Sequence, residues 1–235
     1  SVDTFGAFSG QVDLNFATSE DSALRINAAY ENLNNHRDFF DGDRIGINPT
    51  FRAQLGPDTI IDLSYEFADH ERFIDRGIPS TDAGAPAEQF DRITFADPEN
   101  NFLEFQAHVF RGTIQHGFSE NVKANFTVSY GDYDKLYSNL FPVGFNEQTG
   151  LVRLDGYIDT TQRENFVLSG NLVGDFETGS VAHTILFGAE FIDTVNNNDR
   201  FNPVFASSAA DIAANEAAAA AGDPLPFPNA LGRTD

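Results

Sequence analysis

Apolar and polar residues alternate along most of this chain with a period of two, the pattern of strands that turn one face to an apolar environment and the other to a polar one. The cleanest run sets Val122, Ala124, Phe126, Val128 and Tyr130 against Lys123, Asn125, Thr127, Ser129 and Gly131. Another sets Ile61, Leu63, Tyr65 and Phe67 against Asp62, Ser64 and Glu66. Comparable runs carry Val12, Leu14 and Phe16; Leu24, Ile26, Ala28 and Tyr30; Ile45, Ile47, Phe51, Ala53 and Leu55; and Leu103, Phe105, Ala107 and Val109. Phe166, Leu168, Leu172 and Phe176, then Ile185, Phe187, Ala189 and Phe191, complete the set. The pattern predicts an all-β chain of about eight antiparallel strands joined as sequential hairpins.

The connections fall into two populations. Short turns are expected near Ser19 to Ser22, Gly56 to Asp58, Ser119 to Asn121 and Glu177 to Ser180, all rich in turn-forming residues. Long connections are expected at 35–42, 70–101, 138–156 and from 197 onward. Strands of about ten or more residues, trimmed at one end and elaborated at the other, match a transmembrane β-barrel with short periplasmic turns and long extracellular loops. Soluble sandwiches have shorter strands and mixed loops at both ends. Tyr30, Tyr65 and Tyr130 lie at similar distances from their short turns, as members of an interfacial aromatic girdle would.

Past residue 197 the alternation stops. Residues 198–235 are expected to form a long extracellular loop with a short Ala-rich helix, ended by Pro224, Pro226 and Pro228. With no further strand there, the chain is expected to be an internal piece of a larger barrel.

Composition narrows the function classes. Of 235 residues, 36 are acidic and 14 basic, a formal net charge of -22 that argues against a nucleic-acid partner, since phosphate binding needs clustered cations. The chain has no Cys, so disulfides, zinc thiolates and iron–sulfur ligation are excluded. No stretch has the length and apolarity of a transmembrane helix, which leaves a membrane barrel open because barrel strands hide their apolarity in alternation.

Catalytic and metal motifs are absent: there is no G-x-S-x-G elbow, H-E-x-x-H helix, phosphate-binding Gly loop or EF-hand spacing. Asp38, Asp41 and Asp43 lack the calcium-loop spacing, and the five histidines are scattered. No catalytic residue, no metal site and no covalent cofactor are expected. A Ser-His-Asp hydrolase assembled from distant positions stays an alternative, as does a soluble β adhesin.

The run "LRINAAYENLNNHRDFFDGDRIGINPTFRAQLGPDTIIDLSYEFADHERFIDRGIPS" resembles the early barrel of TonB-dependent siderophore receptors. The resemblance rests on Arg25, Asn27 and Tyr30; Arg37 and Asp38; Pro49; Thr59, Ile61, Leu63, Tyr65 and Glu66; and Asp75 to Pro79. A second match is "GDFETGSVAHTILFGAEF" over 174–191, and the likeness runs in order from residue 1 to about 200.

The resemblance implies the first part of a barrel of about 22 strands, in the outer membrane of a Gram-negative bacterium. It implies import of a ferric siderophore, the transported ligand, with energy from TonB. The expected partners are that siderophore, outer-membrane lipid and lipopolysaccharide, and the TonB complex through a plug domain. The plug and the second half of the barrel are expected to lie outside this chain. The same architecture also serves cobalamin or oligosaccharides. Loop residues that combine cationic or hydrogen-bonding tips with aromatic surface are the candidate ligand contacts: His36, Arg37, Arg72, Arg76, Tyr133 and Tyr137. Gly77 and Pro79 are expected to shape their loop.

Overall fold

Paired residues of an antiparallel ladder face the same way, so the register turns the alternation of single strands into two continuous faces. A computed structural model describes residues 1–95, 97–202 and 209–222. Its strands are β1 (Phe8–Ser19), β2 (Ser22–Asn34), β3 (Asp41–Gln54), β4 (Thr59–Phe73), β5 (Phe102–Ser119), β6 (Val122–Asn146), β7 (Leu151–Thr178) and β8 (Val181–Phe201). They form one eight-stranded sheet in chain order, every neighbouring pair antiparallel. The sheet is open: among the described residues β1 and β8 do not pair with each other, so this is a barrel segment and not a closed small barrel.

The register carries the apolar face from strand to strand. Leu63 pairs with Gly112, Gly112 with Val128, Val128 with Leu168 and Leu168 with Phe191. One rung above, Tyr65 pairs with Phe110, Phe110 with Tyr130 and Tyr130 with Phe166, an aromatic row across four strands. The Tyr65 hydroxyl meets His108 Nδ1 at 2.6 Å. That bond gives the polar tip a partner at the edge of the apolar band. Two rungs higher the same face reads Asp69, Gln106, Asp134, Gln162 and Asn197. The switch marks where lipid ends and water begins. Tyr30 pairs with Ile45, whose other partner is Asp69, so it stands on a rung four residues further along β4 than Tyr65.

On the opposite face, the polar residues pair with one another. Arg25 with Asp13, Arg44 with Glu31, Arg52 with Asp62 and Arg200 with Asp159 are cross-strand ion pairs. Thr113 and Thr127 share a hydrogen bond of 3.0 Å. A sheet with an apolar outside and a polar inside has no packed core within the membrane band. The buried side chains gather instead at the loop end: Phe73, Ile74, Ala87, Asn101, Ala107, Ser138, Asn139 and Leu140.

Two expectations about loops are corrected. Residues 138–156 are mostly strand: β6 and β7 stay paired from Val122↔Gly174 up to Asn146↔Leu151, leaving only 147–150 as the turn. Alternation fades there because both faces meet water, but the backbone ladder continues, since its hydrogen bonds require no particular side chain. Likewise β8 runs on through 198–201, where the sequence suggested loop, and Phe201 pairs with Ile158. Helix α1 (Ala209–Ala221) occupies the Ala-rich run. Pro224, Pro226 and Pro228 lie outside the described residues. The connections 35–40 and 74–101 remain loops, the second holding a 3-10 turn at Glu88–Phe90.

The assigned faces are testable at adjacent positions of β6. Phe126→Arg in the full-length protein should cost roughly 2 to 4 kcal/mol, whereas Thr127→Arg should cost far less. Equilibrium unfolding in lipid vesicles measures both, and equal costs would reverse the assignment.

Candidate functional site

The loop over 74–101 is fastened at both ends. Asn101 is buried, donates to the carbonyls of Ile74 at 3.0 Å and Leu140 at 2.9 Å, and accepts the Leu140 N–H at 3.0 Å. One amide thus ties the loop to β6. From the other side, Arg37 of the 35–40 loop pairs with Asp75, both side chains being about 10% exposed. Its guanidinium also donates to the carbonyls of Asp91 and Ile93, each at 2.8 Å. Phe90 makes edge-on contacts with Phe95 and Phe145, each 5.1 Å between ring centres, which packs the loop against the β6–β7 tip.

Beyond Asp75 the chain turns and carries Arg76 onto the polar face of β6 and β7. Register places Tyr137 opposite Asp159, Asn139 opposite Tyr157 and Phe141 opposite Asp155, all on that face. Tyr137 and Tyr157 stack at 5.9 Å, and Asn139 donates to the Tyr157 carbonyl at 3.0 Å. The Arg76 Nη1 donates to Tyr157 Oη at 3.1 Å, to Asn139 Oδ1 at 3.2 Å and to Tyr137 Oη at 3.5 Å, while its guanidinium lies 4.8 Å over the Phe141 ring. The hydrogen bonds to Tyr157 and Tyr137 hold the Arg76 pKa above its ordinary value, so the charge is permanent. Arg200 covers Tyr157 at 4.5 Å and grips Asp159 with two bonds of 2.6 Å. Those bonds to Arg200 lower the Asp159 pKa. The pair's contribution is therefore complete above the unfolded carboxylate value and is lost as pH falls through the depressed folded value.

Next to this shelf a cleft of about 660 Å³ opens, lined by Phe105, Tyr133, Lys135, Arg163, Asn198 and Arg200 among others. Tyr133 pairs with Arg163, and Lys135 with Thr161, so these side chains share the polar face with the shelf. Tyr133 lies back over Gly131, where an added Cβ would stand 2.8 Å from its ring. Arg163 donates to Asn196 at 3.1 Å. Neither Arg163, Lys135 nor Arg76 belongs to any of the ion pairs among the described residues. Asp159 and Asp199 also line the cleft, so the result is an aromatic surface on which three cations face two carboxylates, on a strongly acidic chain.

The structure brings three of the six sequence candidates to this region: Arg76 and Tyr137 touch, and Tyr133 lines the adjoining cleft. The other three lie elsewhere. His36 is exposed against Phe5 at 6.1 Å, Arg37 is buried in its pair, and Arg72 lines a separate hollow with Asp41, Asp43, Glu71, Glu99 and Glu104. Sequence reading missed Lys135, Asn139, Phe141, Tyr157, Arg163 and Arg200. Continuing the β6–β7 pairing past residue 138 would have exposed Tyr157 and Asn139 as opposite neighbours.

The fold and its two faces define the chain as a segment of a membrane-spanning β-barrel, and the proteins it resembles make that membrane the outer membrane of a Gram-negative bacterium. No protein-family model matches it. Over 207 residues it is 27% identical to the metal-pseudopaline receptor CntO of Pseudomonas aeruginosa, covering 81% of this chain and 27% of that protein. It is 27% identical over 169 residues to the probable TonB-dependent siderophore receptor PiuA of Acinetobacter baumannii, covering 68% and 22%. The PiuA crystal structure superposes with a TM-score of 0.75 at 23% identity, over 88% of this chain and 31% of that one. The ferripyoverdine receptor of the P. aeruginosa outer membrane superposes with a TM-score of 0.77 at 12% identity, over 99% and 30%. These relatives are receptors for siderophores and metal complexes, and the chain spans about a quarter of the length of the curated relatives it matches.

The loop anchor has a measurable consequence. Asn101→Ala leaves buried groups of Ile74 and Leu140 without partners, at about 1 to 3 kcal/mol for each. Hydrogen exchange at the Leu140 amide should accelerate at least tenfold, and an unchanged rate would remove Asn101 from this role.

Proposed function

We propose that the chain forms part of a TonB-dependent receptor that captures a ferric siderophore from outside the cell and imports it with energy supplied through TonB. The observation that supports this most is the cleft on the polar face. Lys135 and Arg163 line it with Tyr133, and Arg76 lies on the adjoining shelf with Tyr137 and Tyr157, none of the three cations in a carboxylate ion pair, on a chain of net charge -22. Arg76 and Arg163 hydrogen-bond to neutral groups and Lys135 acts on Asp159 only at a distance; cations so placed suit an anionic ligand, and a ferric complex with oxygen donors supplies negative charge on a bulky frame. The tyrosines add stacking surface at low entropic cost. An uncharged oligosaccharide would use the aromatic rings but gain little from three cations.

The reading assigns the chain no catalytic step. Capture requires binding groups at the loop end, and import requires an external energy source. The long strands of β6 and β7 would present the cleft above the lipid, with the loops at 35–40 and 74–101 beside it. Lipid and lipopolysaccharide would contact the apolar face.

Lys135→Glu combined with Arg163→Glu should lower capture of radioactive iron roughly tenfold, on the order of 1.4 kcal/mol. The iron is supplied as the siderophore fraction of the host's own iron-starved culture, with the full-length receptor in whole cells. Raising salt should weaken wild-type capture in the same direction, because exposed charges are screened. Capture unchanged by the double substitution and, in the wild type, by added salt would sink the reading.

A further inference from the structure

Asp75 and Arg76 are adjacent, yet their side chains serve different parts of the molecule. Asp75 receives Arg37 from the 35–40 loop, and Arg76 reaches the tyrosines of β6 and β7. We infer that Arg37 and Asp75 are a positioning pair, which sets the guanidinium of Arg76 on its aromatic shelf without touching ligand themselves. The inference rests on the shelf and the adjoining cleft being the binding site.

Three observations carry it. First, the hydrogen bonds of Arg37 are made within the protein: Nη1 donates to the Asp91 carbonyl and Nη2 to Asp75 Oδ1 at 3.0 Å and to the Ile93 carbonyl, while Nε is buried against Asp75 Oδ2 without a hydrogen bond of its own. Little capacity is left for a ligand. Second, the same Asp75 Oδ1 accepts the Gly77 N–H at 2.9 Å, closing a turn that spans Arg76. Gly77 holds φ +87° with open space where a Cβ would stand, so the position needs glycine for its backbone and not for room. The carboxylate therefore fixes the chain on both sides of the Arg76 Cα. Third, every hydrogen-bond partner of Arg76 is neutral. A long side chain with many rotamers and no ionic partner depends on its backbone for aim.

The test reads the phenol that Arg76 touches. In the full-length protein in detergent micelles, 3-fluorotyrosine at Tyr157 gives a fluorine resonance, and Arg76→Gln defines its position without the guanidinium. Asp75→Asn and Arg37→Gln should each move the resonance most of the way to that position. Asp75→Asn added to Arg76→Gln should move it no further, and a fluorotyrosine at Tyr30 should not respond. Heat-dependent gel mobility confirms that each barrel is folded; if Asp75→Asn fails there, Arg37→Lys, which keeps the charge and loses the fork, takes its place. A Tyr157 signal at the wild-type position in Asp75→Asn, or an equal displacement in the Arg76→Gln background, overturns the positioning role. Capture of the same radioactive siderophore fraction separates the two readings. If Arg76→Gln leaves capture unchanged while the fluorine result holds, it is the binding site that fails.

Discussion

The structure depends on one requirement: within hydrocarbon every backbone N–H and C=O must be paired by a neighbouring strand, because no water is there to take its place. Sequential antiparallel pairing from β1 to β8 meets that requirement for the interior strands. Once the ladder is fixed, side chains have only two destinations. Val12, Leu24, Phe51, Leu63, Val128 and Phe191 go to one face, and Asp13, Arg25, Arg52, Asp62, Thr113 and Thr127 to the other. Charges on the polar face then neutralise one another across strands, which is why Arg25, Arg44 and Arg52 each sit on a carboxylate of a neighbouring strand.

The legibility of the fold follows from the same cause. Where the two faces meet different solvents, selection writes the difference into every second residue, and the strands could be read from the sequence. Where both faces meet water, the hydrogen-bond ladder persists but nothing forces alternation. Residues 138–156 therefore read as loop and, apart from the turn at 147–150, fold as strand. Half of the missed candidate site lies in that stretch or opposite it: Asn139, Phe141 and Tyr157 belong to the hairpin that extends past the membrane.

Arg37 shows a different limit. From sequence it was indistinguishable from Arg76, a loop cation next to hydrogen-bonding neighbours. Its partner Asp75 lies in a different loop, and the carbonyls of Asp91 and Ile93 further on still. Pairing over such separations leaves no periodic trace. Arg76 was legible only in type, as a cation beside a turn-forming glycine; its pairing with Tyr137 and Tyr157 was not.

These arrangements bear on how a loop-borne site can be ready before a ligand arrives. Ordering a loop and its side chains on binding subtracts from affinity, by about 0.5 to 1.5 kcal/mol for each flexible side chain immobilised. Here much of that ordering is done within the folded chain. Asn101 fastens the loop to β6, Phe90 packs it on Phe145, Arg37 ties it to the neighbouring loop, and Arg76 rests on rings carried by paired strands. The rigid element is the ladder itself, prolonged beyond the lipid that required it. A constraint imposed by the membrane thus supplies, a few rungs higher, the stiff platform on which an aromatic and cationic surface can be held.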